Sequence, residues 1–220
     1  MSSEVPASPD ASARAILQPA LQTWLVAQFL WGLAHLVVAF GQEPSPVVHA
    51  VAIALTTFAA GGCIAVQAWR DRHLSPLFAR TRRGAVELCL LVGIVGGIAL
   101  DMLERNLFGA WFPPLLEYEL GFPLGVALVS VAVVPAVVEE LLFRGVLLAR
   151  LQAVLGWPMA IVVQAMLFSL MHLHGTFVVP HFLFGCMAGF LRMTARALWP
   201  CMLLHLLWNA WCVLYAYQVL

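Results

Sequence analysis

Seven apolar runs constrain this chain more than any other feature. They cover residues 21–40, 47–69, 84–100, 122–148, 157–173, 177–191 and 197–219, separated by turn-forming stretches such as "GQEPSP", "LGWP", "HGT" and "RALWP". A helix needs roughly 20 residues to cross a hydrocarbon core of about 30 Å, so most of the runs qualify and the sixth is short. The fold class that follows is all-α, a polytopic bundle of about seven transmembrane helices. Composition agrees: 63% of the 220 residues are hydrophobic and 10% charged, well outside the range of a soluble domain.

The arginines orient the bundle, because basic residues are retained on the cytoplasmic side. With seven spans threaded alternately, Arg14, Arg70, Arg72, Arg80, Arg82, Arg83, Arg150, Arg192 and Arg196 share one side, nine of the eleven basic residues. This predicts a cytosolic N-terminus and an external C-terminus. Residues 1–19, small, polar and Pro-containing, read as a disordered cytosolic tail. Residues 20–101 hold three helices with the Arg-rich cytosolic loop 70–83. Residues 102–121, with "LFGAWFPPLLEYEL", read as an external interfacial segment, and residues 122–219 as a separate helical bundle.

Net charge is zero, with no basic patch, so nucleic acid is not a partner. The lipid bilayer is. The five cysteines show no CxxC spacing and lie in apolar runs, where they serve as small packing groups.

One stretch resists the apolar background: "VVEELLFRG", residues 137–145. An Asp, Lys or Arg at a helix centre costs about 2.5–3.5 kcal/mol, so two carboxylates and an arginine near mid-membrane demand a role. At about 100° per residue, Glu140 and Arg144 lie about 40° apart and can pair, whereas Glu139 points about 140° away from Arg144. Glu139 is left over. Pro135, one turn earlier, cannot donate its backbone bond and loosens the helix there.

Other runs supply groups to meet that carboxylate. "FSLMHLH" places Phe168 and His172 one turn apart, and "HLLWNA" does the same for His205 and Asn209. At 1.5 Å per residue from the cytosolic edge, Glu139 lies roughly 16 Å deep, His205 roughly 14 Å and His172 roughly 22 Å, a spread that tilt and side-chain length can close. Taken singly, each histidine and Asn209 reads as interhelical glue. Their joint occurrence with an unpaired acid points to a site. His35, His49 and His73 sit at span edges, while His174 and His181, near the external loop, are left undecided.

Glu139-Glu140-x-x-x-Arg144, Phe168-x-x-x-His172 and His205-x-x-x-Asn209, in that order, resemble the CaaX-prenyl-protease and bacteriocin-processing group of intramembrane proteases, the CPBP or ABI family. The resemblance covers residues 122–219; the first three helices contribute nothing to it. It implies an intramembrane endopeptidase in which Glu139 activates water. His172 and His205 would hold the water or polarise the scissile carbonyl, and Asn209 would donate to the oxyanion. Glu140, Arg144 and Phe168 would support them.

No cofactor is expected, although Glu139, His172 and His205 would form a zinc ligand set if a metal were used. The implied substrate is a membrane protein, lipidated chain or peptide, cut at a C-terminal tail or anchor, as in a myxosortase-like role, or in a bacteriocin-like sequence. Eleven arginines and no lysine suggest a GC-rich bacterial genome and hence a multi-pass protein of the bacterial inner membrane. Bacteria seldom prenylate proteins, which favours a peptide or anchor over an isoprenylated tail. A non-catalytic immunity or scaffold protein and a proton-coupled transporter are the other readings of such a chain.

Overall fold

The computed structural model describes residues 9–40, 46–71, 81, 83–108, 121–172 and 178–219, which form helices and no strands. Residues 1–8, the loop core 72–80 with His73, the interfacial residues 109–120, and His174 lie outside the described residues. The helices are α1 (Pro9–Phe40), α2 (Pro46–Arg70), α3 (Arg83–Phe108), α4 (Leu124–Leu155), α5 (Trp157–Met171), α6 (Val178–Ala195) and α7 (Trp199–Ala216). Each of the seven apolar runs is thus a helix. By length and composition, Ala50–Arg70, Leu124–Leu155 and Val178–Ala195 can cross a membrane, and Val86–Ala99 and Trp157–Met171 are shorter apolar helices.

Two boundaries differ from the sequence expectation. α1 begins at Pro9, so residues 9–19 are helical and not an irregular tail. Tertiary contact explains it: Arg150 on α4 donates to the Ile16 carbonyl while gripping Asp71, at the end of α2, through Nε at 2.7 Å and Nη2 at 2.8 Å. A buried bidentate pair of this kind fixes three segments at once. α3 likewise continues past Asp101 to Phe108, carrying Arg105 into the stretch read as interfacial. There Asp101 accepts from Arg105 (2.8 Å) and from Trp211 Nε1 of α7 (2.9 Å).

α4 is the hub. Its residues Leu142–Leu148 are all buried, because α1, α2, α5 and α6 surround that segment. Two π-helical segments, Leu128–Val133 and Leu141–Leu147, interrupt its α-helical geometry. Such segments are frequent at functional sites.

Small residues let the helices approach closely. A Cβ on Gly185 of α6 would lie 2.8 Å from Ala165 Cα of α5, and one on Gly97 of α3 would lie 2.1 Å from the Trp208 ring of α7. Close backbone approach at small residues is how helices associate where lipid removes the hydrophobic drive between them. The outer surface carries Phe29, Leu55 and Phe58, at 70%, 65% and 80% exposure, as part of a broad apolar belt. A belt that large marks a surface meant for a non-aqueous partner.

Candidate active site

The site is built where α4, α5, α6 and α7 converge on the ring of Phe168. That ring lies 5.0 Å from His172, 6.0 Å from His205 and 5.0 Å from Phe143, centroid to centroid, and the Arg144 guanidinium stands 4.7 Å over it. A cation over an aromatic face is attracted by the ring's electron density. Phe168 therefore spaces the polar groups from within the bundle, where it is itself buried.

Glu140 and Arg144 pair as the helical spacing predicts. Arg144 Nη1 donates to Glu140 Oε1 at 2.7 Å, and both side chains are fully buried. The guanidinium also reaches the Gly185 carbonyl of α6, which accepts from Gln164 Nε2 of α5 at 2.7 Å. Glu140 has a second partner, legible only in three dimensions. His205 Nδ1 donates to the same Oε1 at 2.8 Å.

Glu139 stands apart from this network. Its Oε2 is buried with no hydrogen-bond partner and lies 4.0 Å from His205 Nε2. With Nδ1 committed to Glu140, Nε2 is the nitrogen that His205 turns to Glu139, at a separation too long for a direct hydrogen bond.

His172, at the C-terminal cap of α5, donates Nδ1 to the Phe168 carbonyl at 3.0 Å, which leaves Nε2 as the ring's second polar atom.

Asn209 is engaged differently. Its Nδ2 donates to the Val131 carbonyl at 2.8 Å. Pro135 lacks the N–H that would take that carbonyl in an α-helix, and Val131 lies within the first π-helical segment. Asn209 thus caps, through one of its two N–H groups, the backbone group that Pro135 releases.

His181, undecided from sequence, packs its ring 3.7 Å from that of His172 and 5.9 Å from Phe168. The signal was present: a short connection between antiparallel helices brings the end of α5 beside the start of α6. Among the described residues no three His, Cys, Asp or Glu side chains converge as metal ligands. Among those residues the set Glu139, His172 and His205 is not gathered around one point: His205 Nε2 lies 4.0 Å from Glu139 Oε2, and no third ligand completes the pair.

A helical membrane bundle enclosing a carboxylate, two fixed imidazoles and a braced Glu–Arg pair has the makings of a hydrolytic centre. Residues 121–211 match the family model described as Type II CAAX prenyl endopeptidase Rce1-like, the stretch that carries all three motifs. No curated protein and no solved structure matches the chain.

Proposed function

We propose that this protein is a glutamate-dependent intramembrane endopeptidase with a water molecule bridging Glu139 Oε2 and His205 Nε2. The supporting observation is the 4.0 Å gap between a buried, unpartnered carboxylate oxygen and the imidazole nitrogen turned toward it; in the proposed resting state the ring is neutral and that nitrogen accepts. One water can donate a hydrogen to each and keep its lone pairs free to attack.

In the reaction, the Glu139 carboxylate takes a proton from the water as its oxygen bonds to the scissile carbonyl carbon. The carbonyl electrons move onto oxygen, and the other N–H of Asn209 stabilises that oxyanion; removing such a donor typically costs about 10²-fold or more in rate. As the C–N bond breaks, Glu139 returns its proton to the leaving nitrogen. The products are a carboxylic acid and an amine. His205 holds the water, His172 accepts a substrate N–H, and Glu140 with Arg144 keeps His205 in the required tautomer. No step passes through a metal.

The setting we propose for this centre is the bilayer of a bacterial inner membrane, crossed by seven helices with a cytosolic N-terminus and an external C-terminus. The proposed substrate is a membrane-held polypeptide cut near a C-terminal tail or anchor. Comparing protein C-termini in cells with and without this chain tests that assignment. One class of membrane protein should keep its tail in the absence of the chain, and an unchanged set of C-termini would refute it.

A further inference from the structure

A second polar concavity opens between the C-terminal ends of α4 and α6. Its volume is about 340 Å³, and Arg144, Leu148, Gln152, Arg192, Met193 and Arg196 line it. Arg192 is 8% exposed, and its Nε is buried with no hydrogen-bond partner. The ion pairs among the described residues involve Arg105, Arg144, Arg150 and His205, and neither Arg192 nor Arg196 takes part. A guanidinium so buried and so poorly matched is costly unless something else brings a counter-charge.

The charge to be matched is small and defined. Arg144 is neutralised by Glu140, leaving two guanidinium charges from Arg192 and Arg196. The C-terminal ends of α4 and α6 each contribute about half a negative charge, so about one positive charge remains. A monoanion balances it. Position narrows the class further: the cavity lies at the ends of two helices long and apolar enough to cross a membrane, the level at which lipid phosphates sit. Leu148 and Met193 add an apolar wall, and Gln152 adds an amide donor.

We infer that this cavity binds a phosphate-class monoanion, supplied by the headgroup of an anionic phospholipid. The guanidiniums take the phosphate oxygens in charge-assisted hydrogen bonds, while the apolar wall takes the adjoining glycerol and chain. Bound there, the lipid would tie α6 to α4 beside Arg144, behind the Glu140 brace.

Native mass spectrometry of the full chain in neutral detergent, with phosphatidylglycerol or phosphatidylcholine added, reads the site without reference to proteolysis. Phosphatidylglycerol should be retained at concentrations where phosphatidylcholine is not, and Arg192→Gln should weaken that retention about tenfold. Arg192→Lys should retain most of the preference. Arg196→Asn gives an independent reading if Arg192→Gln fails to fold, because Arg196 has φ +56° and Asn tolerates that conformation; it too should weaken retention. Stabilisation of the wild-type chain by inorganic phosphate, absent in Arg196→Asn, would identify free phosphate as a second source of the same anion. Equal retention of the two lipids, or a preference untouched in every folded variant, would overturn the assignment.

Discussion

His205 and Glu140, 65 residues apart in the chain, share a hydrogen bond of 2.8 Å that decides which nitrogen of His205 faces Glu139. The bond makes the second glutamate a positioning group for the imidazole and not merely the partner of Arg144. The first glutamate, one residue earlier on α4, keeps an unmatched oxygen.

Glu140→Gln should therefore reduce cleavage by about 10²-fold or more, because a neutral amide no longer enforces the Nδ1–H tautomer. It should also destabilise the fold by about 3–5 kcal/mol, since Arg144 is left as a buried unpaired charge. The double variant Glu140→Leu with Arg144→Met should recover much of the melting temperature and none of the activity. Recovery of both would make the pair a packing device only.

Asn209→Ala should orphan the Val131 carbonyl and cost about 1–3 kcal/mol. Adding Pro135→Ala restores an N–H four residues after Val131, so the double variant should regain stability in a thermal melt. Cleavage should stay low in the double variant. A return of full activity would show that Asn209 serves only to cap α4.

Close approach of α5 and α6 predicts that Gly185→Ala destabilises the bundle by about 1–3 kcal/mol, as overpacking does. The added Cβ would meet backbone at 2.8 Å, and backbone cannot rotate away. Gly62→Ala, at a position with nothing within 4 Å, is the control and should be neutral or slightly stabilising. Melting temperatures of the two variants in one detergent give the comparison.

The Asp71–Arg150 pair predicts that Asp71→Asn loosens α1 and α2 from α4 together. Hydrogen exchange should rise near Ile16 and Gln67, which share contacts with that pair, before it rises around Phe168. Unchanged protection in α1 would mean that packing alone orders residues 9–19.

The helices and the Glu140–Arg144 pair were legible in the sequence because both are local. An apolar run and an i,i+4 spacing need no partner from elsewhere in the chain. That Arg144 would pair with Glu140 and not with Glu139 was legible for the same reason. The ordering of residues 9–19 was not, since Arg150, 134 residues away, holds Ile16. Nor was the ring nitrogen that His205 turns to Glu140, which depends on contact between α7 and α4. Pro135 announced a weakened turn, but nothing local showed that Asn209 would take the freed carbonyl. The three motif turns gather at Phe168, although Asn209 reaches α4 two turns away from Glu139.

Glu139→Gln, measured for cleavage of a labelled membrane-anchored peptide in proteoliposomes beside its own melting temperature, tests the central claim most directly. The substitution keeps size and shape and removes only the capacity to accept a proton, so cleavage should vanish while the melt stays within a degree or two of wild type. Cleavage by Glu139→Gln at near wild-type rate would contradict the account.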